Sequence, residues 1–152
     1  MSIIKHTKYD WDKHFMKIAL LCSEMSKDPS TKVGAVIKGI DKSVVSTGYN
    51  GLPNDIDDDI YILNNREEKY KYIIHAEENA LNFALKNKLI NSTIYTTLFP
   101  CKRCYDKIQL SGITRIVTLK PSEDHIKRWG KDWDEVMVSS EKSGIIIDII
   151  DI

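Results

Sequence analysis

Two short motifs combine residue types that bind a transition metal and move protons. "HAEENAL" places His75 two residues before Glu77, and "PCKRC" places Cys101 and Cys104 three residues apart. Two cysteines at that spacing in the first turn of a helix put their sulfurs on one face. The helix N-terminus also lowers the pKa of thiols. An imidazole and two thiolates suit tetrahedral zinc and leave a fourth position for water, which is typical of a catalytic site.

Glu77 is the candidate proton carrier, because a carboxylate beside the metal can accept a proton from water and pass it on. Each motif alone also has a plainer explanation. A lone H-x-E pair arises by chance, and a lone C-x-x-C pair is also found in redox proteins and in structural zinc sites. "TTLFPCKRC" lacks a thioredoxin-like context. Cys22 is interpreted as a core residue, and the other histidines are interpreted as surface residues: His6, His14 and His125.

Composition limits the classes of partner. The 152 residues suit a single domain over 1–152, and 22 basic residues balance 22 acidic ones. Proteins that bind nucleic acid or anionic membranes usually carry a basic excess, so we expect neither partner. No apolar run approaches the roughly 20 residues that span a bilayer, and no signal peptide is recognisable. We therefore expect a cytoplasmic protein that binds a small molecule.

The hydrophobic pattern predicts a largely parallel, three-layer α/β domain opened by a hairpin. The final strand, "GIIIDII", is predicted to be buried, and Leu85 is placed on the apolar stripe of its helix. The predicted elements are a helix over 11–27 capped by Asp10, a hairpin of "KVGAVIKG" and "KSVVSTGY", an irregular segment over 49–72, a helix over 75–88, a strand at "STIYTTL", a helix over 101–110, a strand at "ITRIVTL" and a partly helical segment over 121–143.

The order of several blocks resembles the zinc-dependent cytidine and deoxycytidylate deaminases, and within them the deoxycytidylate (dCMP) deaminases. H-x-E followed by P-C-x-x-C is the signature of zinc deaminases. The matching blocks are "SKDPSTKVGAVI", "STGYNGLPN", "HAEENA", "YTTLFPCKRC" and "QLSGI". The resemblance implies a three-layer α-β-α cytidine deaminase-like fold with a five-stranded mixed sheet. It also implies a homo-oligomer, often a hexamer, regulated in many members by dCTP and dTTP.

The resemblance assigns the metal site residue by residue. It makes His75, Cys101 and Cys104 the zinc ligands and Glu77 the proton shuttle. Some phage members bind a second, structural zinc through a cysteine-rich stretch. This chain has Asp-Pro-Ser at 28–30 instead, so we expect one Zn²⁺ per chain.

The resemblance also assigns substrate contacts. Ala76 matches a residue whose backbone N–H meets the pyrimidine O2, and Asn50 matches an asparagine that binds the sugar hydroxyl. Phe83 and Lys86 match positions that influence nucleotide recognition in phage members, where the second is arginine. Glu78 falls where leucine is common and is interpreted as a solvated or interface side chain.

The segment "GYNGLPNDIDDD" looks like the effector loop of regulated members. Its candidate effector-binding residues are Gly48, Asn50, Gly51 and Asn54, and the aspartates that follow would bind a triphosphate through Mg²⁺. A solvated acidic turn is the plainer interpretation of the aspartates.

The activity expected from the resemblance is hydrolysis of dCMP to dUMP and ammonia, which supplies dUMP for thymidylate synthesis. One alternative is deamination of another compound, such as dCTP or a tRNA adenosine, although the neutral charge argues against tRNA. An alternative of another class is a non-catalytic, zinc-stabilised nucleotide-binding module, and the intact Glu77 argues against that.

Overall fold

The computed structural model describes residues 2–53 and 60–152. A short 3₁₀ turn, Lys86–Lys88, follows the fourth helix. The helices and strands are α1 (Lys8–Ser23), β1 (Gly34–Lys38), β2 (Val44–Tyr49), α2 (Ile60–Asn64), α3 (Arg66–Tyr72), α4 (Ala76–Phe83), β3 (Thr93–Thr96), α5 (Lys102–Ser111), β4 (Arg115–Leu119), α6 (Glu123–Ser143) and β5 (Ile146–Ile150).

The five strands form one mixed sheet in the order β2-β1-β3-β4-β5. β1 pairs antiparallel with both β2 and β3, whereas the β3–β4 and β4–β5 pairs are parallel. The parallel pairs are joined through α5 and α6, since parallel strands need a crossover connection. The mixed sheet implied by the resemblance is confirmed, and the prediction of a largely parallel sheet is wrong, because the opening hairpin continues antiparallel into β3.

Helices cover both faces of the sheet. On one face α1 packs Phe15, Met16 and Ala19 against Tyr95 of β3 and its neighbours. On the other face, apolar residues of α4, α5 and α6 pack around Ile94. Successive side chains of a strand point to opposite faces, so β3 contributes to both layers of the core.

A buried polar network fastens α1 to the sheet. Tyr95 donates its hydroxyl hydrogen to Asp12 Oδ1 at 2.7 Å. Arg115 of β4 donates to both oxygens of Asp12, at 2.7 and 2.6 Å. Burial raises the pKa of Asp12, but the hydrogen bonds from Arg115 and Tyr95 outweigh it and leave the pKa below its usual value.

The start of α1 differs from the sequence prediction. Thr7 is the N-cap, and the amide of Asp10 donates to its hydroxyl at 3.1 Å. The amide of Thr7 donates back to the Asp10 carboxylate at 2.8 Å, which completes a capping box. Asp10 therefore belongs to the first turn, and the predicted helix over 11–27 runs instead from Lys8 to Ser23.

Three other predicted elements are also corrected. α4 ends at Phe83, so Leu85 lies beyond it and is 68 % exposed. The described residues after 59 form α2 and α3 rather than an irregular segment. β5 is an edge strand with Ile146 and Ile149 exposed, because only β4 flanks it. Among residues 2–53 and 60–152, no helix has the length and apolar character that crossing a membrane requires.

Candidate zinc and catalytic site

Two helix N-termini meet at the predicted site. His75 is the N-cap residue of α4, and Cys101 is the N-cap residue of α5, with Cys104 in its first turn. Close packing sets the position of α4 above β2. A Cβ atom on Gly48 would lie 2.4 Å from the carbonyl oxygen of Ala76, so only glycine permits this contact.

The three predicted zinc ligands come together. Their candidate ligand atoms all lie within 4.8 Å of one another. His75 Nδ1 lies 3.2 Å from Cys104 Sγ and 3.5 Å from Cys101 Sγ. Zinc bonds of about 2.0 Å to nitrogen and 2.3 Å to sulfur place tetrahedral N and S ligands about 3.5 Å apart, so this donor set fits zinc. In the part of the chain that the structure describes, no second group of this kind is found.

The electrostatics of the cluster favour a thiolate. A hydrogen bond from the Cys104 thiol and another from His75 lower the pKa of Cys101 to about 4, although burial opposes the shift. The hydrogen bond with Cys101 and the burial of the group raise the pKa of Cys104. The hydrogen bond with Cys101 also raises the pKa of His75. Zinc binding would displace the protons on Cys104 and His75, because the metal binds thiolates and neutral imidazole.

Glu77 lies beside the cluster and is 4 % exposed. Burial raises its pKa, although hydrogen bonds from Cys104 and Thr96 oppose the shift. Thr96 Oγ1 lies 2.8 Å from Glu77 Oε1 and 3.0 Å from the carbonyl oxygen of Leu98. A buried carboxylic group with a raised pKa is suited to proton transfer near neutral pH.

A cavity of about 760 Å³ opens onto the cluster, and His75, Glu77 and Cys101 form part of its wall. The facing wall comes from α6, which contributes His125 and Arg128. The sequence analysis missed this wall, since a polar segment after the last motif carries no recognisable signal. His125 is half-buried there, so its interpretation as a surface residue is wrong.

Two contacts hold α6 against the metal-binding region. Asp132 accepts the backbone N–H of Lys102, one of the free amides at the start of α5, at 2.9 Å. Trp133 packs on Phe99 with ring centroids 4.2 Å apart. The α6 wall is therefore tied to the same segment that carries the cysteines.

The structure separates the four predicted substrate residues into two pairs. Asn50 and Ala76 line the cavity. Phe83, at the end of α4, and Lys86, in the 3₁₀ turn that follows, are exposed and do not belong to the described cavity lining. Within one chain, they lie apart from the cluster around His75.

Asn50 is held rigidly in the cavity wall. Its Oδ1 accepts the backbone N–H of Val33 at 2.8 Å, and its Nδ2 donates to the carbonyl oxygen of Thr31 at 2.9 Å. Asp28 forms a buried ion pair with Lys69 of α3 at 3.2 Å. This ion pair stabilises the segment that, according to the resemblance, lacks the cysteines for a second zinc.

The predicted effector residues have structural contacts of their own. Gly48 packs against α4, as described above. The backbone N–H of Gly51 donates to Ile74 at 3.1 Å, and the N–H of Ile74 donates back at 2.8 Å. Asn50 lies in the cavity wall. Asn54 lies outside the described residues, as do the aspartates predicted to hold Mg²⁺.

Glu78 is not solvated, in contrast to the sequence interpretation. It is 7 % exposed, and its Oε1 accepts the backbone N–H of His75 at 3.0 Å. Arg103 and Lys107 of α5 form ion pairs with it. Burial raises its pKa, but these contacts leave the pKa below its usual value. A glutamate three residues after an N-cap is a capping-box pattern, so the sequence did contain a signal for this contact.

Comparison with known proteins agrees with this geometry. The model of the cytidine and deoxycytidylate deaminase zinc-binding region matches residues 9–120. An uncharacterized deaminase from the luxG 3′ region of Aliivibrio fischeri is 41 % identical over 86 % of this chain and 85 % of its own length. The chain therefore belongs to the cytidine and deoxycytidylate deaminase family, and with it to the zinc-dependent hydrolytic deaminases.

Relatives in that family include proteins named as deoxycytidylate deaminases. The Mus musculus deoxycytidylate deaminase is 36 % identical over 71 % of this chain, and the match spans 64 % of the mouse protein, which is less than two thirds of its length. The crystal structure of dCMP deaminase from the cyanophage S-TIM5, in complex with dCMP and dUMP, has a TM-score of 0.73 at 23 % identity. It covers 95 % of this chain and 100 % of that one, and it supports the fold.

Proposed function

We propose that this chain hydrolyses dCMP to dUMP and ammonia. The observation that carries the proposal is the position of Glu77, a buried carboxyl group on the same cavity wall as His75 and Cys101. The mouse relative named as a deoxycytidylate deaminase supports dCMP as the substrate. His75, Cys101 and Cys104 would hold the zinc ion, one per chain.

The proton transfers fall to Glu77. Zinc, when bound, supplies Lewis acidity that lets a water molecule lose a proton near neutral pH. Glu77 accepts that proton and delivers it to N3 of the pyrimidine as the C4–O bond forms. It then carries the second proton of the water to the amino group as the C4–N4 bond breaks. One water enters, one ammonia leaves, and Glu77 ends in its starting protonation state.

Thr96 can support both protonation states of Glu77. A hydroxyl group has one hydrogen and two acceptor lone pairs. When Glu77 is ionised, Thr96 donates to its Oε1, and when Glu77 is protonated it can donate to Thr96, which then donates to the carbonyl oxygen of Leu98. Neither state leaves the buried carboxyl group without a hydrogen-bond partner.

Two groups are placed to orient the deoxycytidine part of the substrate. Ala76 is the first residue of α4, so its backbone N–H has no acceptor within the helix and is free to meet the pyrimidine O2. Asn50 Oδ1 accepts one hydrogen bond from Val33, and a carbonyl oxygen has a second lone pair for a sugar hydroxyl. The fixed amide of Asn50 reduces the ordering cost of binding.

The cation best placed for the phosphate is Arg128. It lines the cavity and forms no ion pair with the residues that the structure describes. A guanidinium group binds a phosphate through two parallel hydrogen bonds. Lys86, the candidate from the resemblance, would contribute to the same cavity only from another subunit, because it is exposed in the 3₁₀ turn after α4.

The test is an absorbance assay of purified, zinc-loaded protein with dCMP, dCTP, cytidine and an adenosine-containing RNA. We expect turnover of dCMP above the other three. Faster turnover of dCTP or of the RNA would change the assigned substrate but leave the enzyme class unchanged. No turnover of any of them by a folded protein with about one zinc per chain would favour the non-catalytic nucleotide-binding module.

Regulation and assembly form a further part of the proposal. We expect a homo-oligomer, specifically a hexamer, in which dCTP with Mg²⁺ activates and dTTP inhibits. The dUMP that the reaction forms would supply thymidylate synthesis. We expect the protein in the cytoplasm, where a reducing environment keeps the ligand cysteines as thiols. The support is the likeness of "GYNGLPN" to effector loops. Coupling of about 1–3 kcal/mol would appear as sigmoidal dependence on dCMP that dCTP makes hyperbolic. A monomer whose kinetics are unchanged by both triphosphates would contradict this proposal of regulation and assembly.

A further inference from the structure

The candidate zinc ligands lie on two helices that are separate in the sequence. α4 carries the nitrogen ligand candidate at its N-cap, and α5 carries both sulfurs in its N-cap and first turn. The distance between the nitrogen and the sulfurs therefore depends on how the two helix N-termini are held relative to each other.

One buried side chain contacts both helices at this point. Glu78 Oε1 accepts the backbone N–H of His75 at 3.0 Å and a hydrogen of the Arg103 guanidinium at 2.8 Å. Glu78 Oε2 accepts from the ammonium group of Lys107. The same carboxylate thus binds the main chain of the nitrogen ligand and two cations on the helix of the sulfur ligands.

The burial of the Glu78 carboxylate makes its contacts with the two helices difficult to break. Glu78 is 7 % exposed, whereas the side chains of Arg103 and Lys107 are 51 % and 50 % exposed. A buried carboxylate must keep its partners, because an unpaired charge away from water is strongly unfavourable. Movement of α4 against α5 would break these contacts, so Glu78 resists that movement.

We infer that Glu78 is a positioning residue, which sets the separation of His75 from Cys101 and Cys104 and thereby raises the affinity of the site for zinc. The inference rests on the zinc ligands of the proposed function. It does not depend on the identity of the substrate, since it concerns the geometry of the metal site. Arg103, which stands between the two cysteines, is held in place by the same carboxylate.

The test compares Glu78→Leu and Glu78→Gln with a matched control. Asp106→Asn removes the ion pair between Asp106 and Lys102 on the same helix and leaves every contact of Glu78 intact. Zinc affinity is measured by competition with a chelator, and the visible absorption of the cobalt-substituted protein reports on ligand geometry. Urea unfolding of the metal-free proteins measures stability separately.

We expect Glu78→Leu to weaken zinc affinity about 10–100-fold and to alter the cobalt spectrum, as is typical when partners of metal ligands are removed. Glu78→Gln keeps a neutral acceptor for the His75 N–H and should lose less, and the control should match the wild type. A folded Glu78→Leu protein with unchanged zinc affinity and cobalt spectrum would overturn the inference. If that variant does not fold, unchanged values for Glu78→Gln would overturn it.

Failure of the proposed function is distinguishable from failure of this inference. A wild-type protein that binds zinc but does not deaminate dCMP contradicts the proposed function alone, and the affinity series still decides the role of Glu78. Conversely, active wild-type protein with equal zinc affinity in the Glu78 variants contradicts the inference alone.

Discussion

Thr96 Oγ1 lies 2.8 Å from Glu77 Oε1, and both side chains are buried. This contact joins the end of β3 to the first turn of α4, so the sheet itself fixes the orientation of the proposed proton carrier. The raised pKa of Glu77, caused first by its burial, describes a group that is more easily protonated than an exposed glutamate. The hydrogen bond from Thr96 therefore orients Glu77, whereas burial raises its pKa against the opposing effect of that same bond.

Glu77→Gln should retain zinc and the fold but lose nearly all turnover, because an amide of similar shape cannot carry a proton. The measurements are zinc content by atomic absorption and turnover of dCMP. Loss of zinc from a folded Gln variant would make Glu77 a ligand and contradict the role proposed here.

Thr96→Val should lower the turnover of dCMP by about 10–100-fold, since it removes the hydrogen bond to a buried carboxyl group, worth about 1–3 kcal/mol. Thr96→Ser is the matched control, because it keeps the hydroxyl group and should remain close to the wild type. Equal turnover in the Val and Ser variants would show that the hydrogen bond between Thr96 and Glu77 does not contribute to the reaction.

Cys104→Ala should lose zinc and lower the free energy of unfolding, because metal binding and folding are coupled at such a site. Cys22→Ala is the control, since Cys22 is half-buried on α1 and stands outside the cluster. The measurements are zinc content and thermal unfolding with and without a chelator. A chelator that left the melting temperature of the wild type unchanged would show that the metal does not stabilise the fold.

Recognition of the phosphate should favour dCMP over deoxycytidine by at least about two orders of magnitude in kcat/KM, because each charge-assisted hydrogen bond contributes roughly 1.5–3 kcal/mol. Arg128→Gln should reduce this preference by raising KM for dCMP while deoxycytidine is little affected. Lys86→Gln tests the alternative cation in the same assay. A preference lost only in the Lys86 variant would place the phosphate site at the exposed 3₁₀ turn after α4.

Arg115→Met should destabilise the protein by about 3–5 kcal/mol at pH 7, because it leaves the buried Asp12 without its cation. The pKa of Asp12 is lowered below 3.8, so the stabilisation is complete above that value and is lost as the pH falls through the folded-state pKa. The difference between variant and wild type should therefore shrink in urea titrations at acid pH.

The exposed pair of Lys71 and Glu68 is the control for that experiment. Lys71 is 62 % exposed, so Lys71→Met should lower the free energy of unfolding at pH 7 far less than Arg115→Met does. If both variants lost a similar free energy of unfolding, or if the loss in Arg115→Met did not depend on pH, the stabilisation attributed to the ion pair of Arg115 and Asp12 would be contradicted.

The motifs alone were sufficient to predict which side chains form the cluster. Local spacing placed Cys101 and Cys104 at one helix start, and the pairing of H-x-E with P-C-x-x-C linked them to His75 at another. The helix boundaries were less predictable, since Thr7 and Asp10 are both acceptable N-caps and the sequence does not say which one accepts the amide.

The α6 wall could not be predicted for a different reason. His125 and Arg128 reach the cavity because α6 packs back over the start of α5, and that depends on tertiary contacts such as Trp133 on Phe99. Polar residues on a helix look the same in sequence whether they face solvent or a ligand cavity. The edge position of β5 is likewise a property of strand order, which an apolar run does not reveal.

The alternation of side chains along β3 constrains how this sequence can evolve. Tyr95 binds Asp12 on one side of the sheet, and its neighbour Thr96 binds Glu77 on the other. A single-residue insertion or deletion within β3 would exchange the two faces and set a phenol against the proton carrier and a threonine against α1. Changes in the length of β3 are therefore expected to be purged, and β3 should be an ungapped segment in any lineage that retains the enzyme.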